Sequence, residues 1–244
     1  MRSARGILRS LRIYYGDRAL AAAMDRLYGR FVGQGDLVFD IGAHVGGRVA
    51  SFRRLGARVV AVEPQPAMVK VLKVLYGCSA RVAIEPVAVG RNSGTTDIMI
   101  NRENPTVSTA SRGFVAAARD APGWEAQRWT RTLRVPVMTL DTLIAKHGAP
   151  VFIKIDVEGF EEEALAGLTL PVKALSFEFT TIQRDVALAC IKRCTALGYT
   201  RFNVALGESQ TFIHADSVSG AAIASWLTAL PHAANSGDIY AALV

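Results

Sequence analysis

The stretch "FIKIDVEGFEEEAL" at residues 152–165 sets Lys154, Asp156 and Glu158 at alternate positions, the first inside an otherwise apolar run. Burying an unpaired charge is costly, so charges in such a run are expected to pair or to work. Lys154 and Asp156 are two apart on a strand and share one face, so each offsets the other's burial. Asp156 falls at the strand tip, Glu158 stands in the turn beyond it, and Gly159 lets the backbone make that turn. A carboxylate there suits three tasks: taking a proton from a hydroxyl, positioning an oxygen nucleophile, or holding a cationic reagent. Glu178, near the end of "ALSFEFT" (174–180), adds another acid at the next strand end. Asp156, Glu158, Glu178 and Lys154 are the catalytic candidates.

A second constellation lies in "DIGAHVGG" (40–47), which supplies Asp40, Gly42, Ala43, His44 and Gly46, followed by Glu63 and Pro64 after the next apolar run. Glu63 stands 21 residues after Gly42, where a carboxylate can accept hydrogen bonds from both hydroxyls of a ribose. The glycine spacing is G-x-x-x-G-G rather than the G-x-G-x-x-G of dinucleotide binders, and Asp40 would repel a pyrophosphate. Beside an ammonium and a sulfonium Asp40 would instead be favourable. S-adenosylmethionine carries both, with a ribose for Glu63 and an adenine for an apolar wall at Val87 and Ala88. These residues, with Asp156, are the expected cofactor-binding set.

In an open α/β sheet, ligands bind beyond the carboxyl ends of strands, and the chain supplies the elements to place these residues there. Strands are read at 37–44, 57–64 and 81–90, with helices at 48–56 and 66–77 between them, a strictly alternating order that predicts a parallel sheet. Residues 91–133 break the rhythm. "GTTDIMIN" alternates like an edge strand, and the polar stretch after it is long enough to be a lid or a substrate wall. Within it, Trp124, Arg128 and Trp129 either stack on a sugar ring or fasten the lid. The rhythm resumes through 133–180 and a helix at 184–198. "YTRFNVALGESQTFIHA" (199–215) is read as an antiparallel hairpin around Gly207. The expected division is a basic helical arm at 1–36, one domain at 37–215 containing the insertion, and a C-terminal helix and tail of the same domain at 216–244.

"VFDIGAHVGG", "VVAVEPQP", "VPVMTLDTL" and "FIKIDVEGFEEEALAGL", in this order and spacing, resemble the FkbM-type methyltransferases over residues 37–180. The resemblance implies a Rossmann-like class I fold: a seven-stranded, mostly parallel sheet with an antiparallel last strand and helices on both faces. The implied activity is S-adenosylmethionine-dependent O-methylation of a hydroxyl on a sugar, glycan or polyketide-like product. Two positions depart from the family pattern, His44 where Asn is common and Gly47 where an aromatic is common.

Composition sets the outer bounds. Half of the 244 residues are apolar, enough for one large domain with a full core. No run of 18 apolar residues and no leader-like segment appears, and three cysteines make neither a disulfide framework nor a zinc spacing, so a cytoplasmic protein is expected. The net charge of +7 is local: residues 1–30 hold seven arginines against Asp17 and Asp25. Such an arm either packs as a solvated helix or meets an anionic membrane surface or another acidic partner. A nucleic-acid methyltransferase is the alternative enzyme; it lacks support from an Asn/Asp-Pro-Pro-aromatic motif or an RNA-binding module, and no nucleic acid is expected. A non-catalytic cofactor-binding domain is the other alternative. Asp156 and Glu178 end adjacent strands, where oxygen ligands could also hold a divalent cation for a metal-assisted O-methyltransferase; two carboxylates are too few to settle that, and no metal ligand is assigned. His147, His214 and His232 are isolated and are read as surface or packing residues, and Glu161, Glu162 and Glu163 as first-turn acids favoured by a helix dipole.

Overall fold

The computed structural model describes residues 2–243. The side chains of residues 1–5, 7 and 14 lie outside the description, and with them the arginines at 2 and 5 of the basic arm.

Strands β1 (Leu37–Ile41), β2 (Arg58–Val62) and β3 (Val82–Glu85) alternate with helices α3 (Gly47–Arg54) and α4 (Pro66–Tyr76). β1 is buried along its whole length, as a central parallel strand covered on both faces must be. Strands β7 (Phe152–Ile155) and β8 (Ala174–Thr180) continue the sheet on the other side of β1, in register Phe39–Ile153 and Ile153–Leu175. With β9 (Arg201–Leu206) and β10 (Ser236–Ala242) the order is β3-β2-β1-β7-β8-β10-β9. Only β10 runs antiparallel to its neighbours, so the seven-stranded sheet with an antiparallel last strand is present.

The hairpin expected at 199–215 is not. Residues 207–215 form no strand, and β9 pairs instead with β10, drawn from "SGDIYAALV". The physical reason is burial: Gly237, Asp238, Ile239, Tyr240 and Ala241 are all buried, which an edge position could not provide. The strand read at 81–90 also divides. β3 stays in the main sheet, while β4 (Ala88–Val89) joins a three-stranded sheet with β5 (Gly94–Ile100) and β6 (Arg131–Met138). β5 lies at the edge of that sheet. The insertion continues through a 3-10 turn (Pro105–Val107) and helix α5 (Arg112–Arg119).

Alternation along the strands splits the core in two. One face packs Phe39, Ile41, Ile153 and Phe177 against helices α6 (Leu140–His147), α7 (Glu161–Ala166), α8 (Arg184–Ala196) and α9 (Gly220–Ala229). The other packs Val38, Phe152 and Tyr240 against α3, α4 and helix α2 (Arg18–Tyr28). α2 is capped by Asp17, whose carboxylate accepts from the Ala19 and Leu20 amides, and it buries Met24, Leu27 and Tyr28. Tyr28 meets Phe52 at 4.7 Å between ring centroids, so this part of the arm is built into the core. Ahead of it, α1 (Arg2–Gly16) leaves Leu8, Arg9, Arg12 and Ile13 exposed. No helix among the described residues is long and apolar enough to cross a membrane.

Candidate active site

A cleft opens where β1, β2 and β7 end, beside β4. One wall is Asp40, Gly42, Ala43 and His44 from the loop after β1, with Glu63 and Pro64 after β2 and Val87 and Ala88 before and in β4. The opposite wall is Asp156, Val157 and Glu158, and the insertion roofs it with Thr106, Ser108 and Thr109. The insertion is thus a wall of the cleft. Its tryptophans fasten it: Trp124 and Trp129 stand edge-on to Phe114, and Trp129 Nε1 donates to the Val107 carbonyl at 2.8 Å. Arg128 is spent on the backbone carbonyl of Gln127 at 2.8 Å.

Of the expected cofactor residues, Gly46 is absent from the lining, although Val45 and Gly47 on either side of it are part of that lining. It starts α3 with a left-handed φ of 86°, and its carbonyl faces away from the cleft to accept from the Tyr15 and Tyr76 hydroxyls at 2.9 and 3.2 Å. Gly42 is also required for a reason internal to the fold, because the Asp156 carbonyl occupies the space where a Cβ would stand. The others face the cleft. Asp40 is 2% exposed, and its Oδ2 has no hydrogen-bond partner among the described residues. Burial pushes its carboxyl up to about 7, against the pull of Arg48 and Lys154. Glu63 rises to about 7 by burial although its two oxygens accept from the backbone amides of Gln65, at 2.7 Å, and His44, at 2.9 Å. Burial lowers the His44 imidazole to about 4, so this departure from the family pattern presents a neutral ring.

The acids at the strand tips form a connected cluster. Lys154 is fully buried and absent from the cleft lining; its Nζ lies 2.7 Å from Asp238 and 3.2 Å from Asp156. Burial works against the ammonium, but these two carboxylates hold its pKa well above the ordinary range. Lys154 therefore meets Asp156 from outside the cleft lining. Burial raises the Asp156 carboxyl too, yet Lys154 and then Arg48 outweigh it and keep Asp156 ionised. Burial drives Glu158 and Glu178 upward, Asp156 adding to it by repulsion, and Glu178, with a carboxylate oxygen within 4.8 Å of one from Asp156, does not line the cleft. Glu158 takes a φ of 56°, and its carbonyl accepts from Thr109 Oγ1 at 2.6 Å, tying the turn to the insertion.

Two members of this cluster were not found from the sequence. Asp238 sits in β10 opposite Glu178, and the apolar run "IYAALV" directly after it was its one available signal. Glu161 is 2% exposed and accepts from the Val157 amide at 2.9 Å, holding the turn from below. His147 bonds Glu85 at 2.7 Å and His232 the Pro122 carbonyl at 3.2 Å, and neither they nor His214 line the cleft.

The sequence model described as the methyltransferase FkbM domain matches residues 40–230, from Asp40 through α9. The chain belongs to the FkbM methyltransferase family. No curated protein matches this FkbM chain in sequence. Similar solved structures include a TehB-like SAM-dependent methyltransferase from Corynebacterium glutamicum, 12% identical, covering 99% of each chain at a TM-score of 0.48. A precorrin-6Y C5,15-methyltransferase from Geobacter metallireducens is 13% identical over 92% of this chain and 87% of its own, at 0.45. A SAM-dependent O-methyltransferase from Thermotoga maritima is 12% identical over 92% and 64%, at 0.43. The strand order and the helices on both faces give the FkbM domain here its class I, Rossmann-like architecture.

Proposed function

We propose that this FkbM methyltransferase transfers a methyl group from S-adenosylmethionine to a hydroxyl of a sugar, glycan or polyketide-like small molecule. The observation that carries it is one cleft with two chemically different acidic walls. On the first, the buried Asp40 Oδ2 lacks a donor, which an ammonium would supply, and each Glu63 oxygen, already receiving one amide, keeps a lone pair for a ribose hydroxyl. Val87 and Ala88 give an adenine its apolar face. When bound, the cofactor supplies a methyl carbon activated by sulfonium.

On the second wall Asp156 is ionised and keeps 28% of its side chain open. Displacement at a methyl carbon needs the acceptor oxygen held in line at about 3–3.5 Å. Asp156 positions that hydroxyl and takes its proton, an effect worth about 10² to 10⁴ in rate. Lys154 keeps the carboxylate ionised and aimed, and the Thr109 to Glu158 bond ties the insertion to the turn just beyond it. The outer face of α1, with Arg9 and Arg12 beside Leu8 and Ile13, is assigned to an anionic membrane surface, and the site of action to the cytoplasm.

Calorimetric titration with S-adenosylmethionine and, separately, NAD tests the cofactor. Binding of the first alone is expected; binding of NAD alone or of neither would overturn the proposal. With a hydroxylated glycan acceptor in hand, Asp156→Asn is expected to lower kcat by about 10² to 10⁴ while changing cofactor affinity little. An unchanged kcat across the working pH range would remove Asp156 from the proton-accepting role.

A further inference from the structure

We infer that the carboxylates of Asp156, Glu158 and Glu178 form a binding site for one hard divalent cation of the Mg²⁺ or Mn²⁺ class at the edge of the cleft. One carboxylate oxygen from each lies within 4.8 Å of the other two. Hard cations hold oxygens at about 2.0–2.6 Å, so ligands of one ion can stand no farther apart than about 4–5 Å. The three acids meet this limit although they come from separate places in the backbone: the tip of β7, the turn after it, and the last part of β8.

Two further observations point to a ligand. Glu158 is 6% exposed, lines the cleft, and has its only described hydrogen bond through its carbonyl. Glu178 Oε2 is sealed from solvent and has no hydrogen-bond partner among the described residues. Buried carboxylate oxygens are normally satisfied by a donor or a cation. Among the described residues the one ammonium bonded to this cluster is Lys154, and it is engaged by Asp238 at 2.7 Å as well as by Asp156 at 3.2 Å. A divalent ion would supply positive charge directly to the Glu158 and Glu178 oxygens, which Lys154 does not reach.

The donor set consists of carboxylates with neither His nor Cys, which selects Mg²⁺, Mn²⁺ or Ca²⁺ over Zn²⁺ or Cu²⁺. Asp156 and Glu158 face the cleft, so the open coordination positions face the acceptor. An ion there would take the reacting hydroxyl and a neighbouring oxygen together, favouring acceptors with a vicinal diol or an α-hydroxy acid. That last step rests on the methyl-transfer proposal; cation binding itself does not.

The test is titration of the purified full-length chain, stripped with chelator, with Mn²⁺ followed by electron paramagnetic resonance. One bound Mn²⁺ per chain, displaced by Mg²⁺, is expected. Glu158→Gln and Glu178→Gln are each expected to weaken it at least tenfold with the circular dichroism spectrum intact, while Glu162→Gln, on the exposed side of α7, leaves it unchanged. Absence of a stoichiometric ion in the wild-type chain, or equal affinity in folded Glu158→Gln and Glu178→Gln, would overturn the inference in favour of shared protons. Calorimetry with S-adenosylmethionine in chelator separates the two proposals. Cofactor binding without any Mn²⁺ site removes only the cation, and a Mn²⁺ site without cofactor binding removes only the cofactor assignment.

Discussion

Asp40 is an acid that the fold keeps poised rather than charged. Its carboxyl sits near 4 in an unfolded chain and is pushed up to about 7 by burial in the folded one. A folded-state pKa above the unfolded value favours the native state at low pH: its contribution is complete below about 4 and is lost as pH rises through about 7. An ammonium ligand reverses the sign, because it binds the ionised form. With a pKa near 7, the ionised fraction rises about tenfold between pH 6 and pH 8, and S-adenosylmethionine affinity measured by calorimetry is expected to rise by about the same factor. Asp40→Asn is expected to bind more weakly and to flatten this dependence, while its thermal midpoint without ligand falls less between pH 5 and 8 than that of the wild type. An unchanged pH profile in Asp40→Asn would place the titrating group elsewhere. Asp40, Glu63, Val87 and Ala88 were legible in the sequence because each directly follows or precedes a strand end, and the sheet rule fixes where those ends lead. The anchoring of the Gly46 carbonyl was not, because it rests on the hydroxyls of Tyr15 and Tyr76, 31 and 30 residues away.

β10 decides more of the site than its place at the chain's end indicates. It is inserted between β8 and β9, contributes buried Ile239 and Tyr240 to opposite core layers, and carries the Asp238 that holds Lys154. Removing residues 236–244 would open two strand edges and leave Lys154 with Asp156 as its one remaining carboxylate partner. Breaking one partner out of a buried ion pair costs about 3–5 kcal/mol, and total domain stability is only about 5–15 kcal/mol before the lost core is counted. The truncated chain is therefore expected to lose its near-ultraviolet circular dichroism and to aggregate; a soluble, cofactor-binding product would show that β10 is dispensable. Periodicity identified strands near 37, 58, 152 and 174 because both of their faces are covered and the apolar runs are continuous. It failed at 199–215, where "QTFIHA" has a strand-like composition and lies beside β9 through the Ile213 to Val204 hydrogen bond, yet the ladder was taken by a segment some thirty residues later. Local pattern finds strands; pairing across a helix is set by which segment can stand full burial. The strand at 81–90 divided for a related reason, since Pro86 cannot donate to a ladder and the chain changes sheets there.

At the scale of the whole molecule, charge is segregated from the chemistry. The cleft is acidic, whereas much of the net +7 comes from the first thirty residues, with seven arginines against two aspartates. α1 connects these regions: Tyr15 bonds the carbonyls of Val45 and Gly46 at 3.0 and 2.9 Å, and Gly6 lies against Pro105 of the insertion. Its inner side thus touches the cofactor loop and the roof of the cleft, while Leu8 and Ile13, 66% and 44% exposed, face outward with Arg9 and Arg12. A solvated helix gains nothing from leaving two aliphatic side chains in water, whereas an interfacial helix buries them and sets its arginines on the headgroups. Each arginine near an anionic leaflet is worth about 1 kcal/mol, so Arg9→Gln with Arg12→Gln is expected to weaken sedimentation with phosphatidylserine-containing vesicles about thirtyfold. Cofactor binding should be retained in that variant, because neither arginine lines the cleft. Raising salt should weaken the wild type and affect the variant less, as the attraction is screened. Equal vesicle binding by wild type and variant, or none by either, would leave the arm as a structural strap between the glycine loop and the insertion.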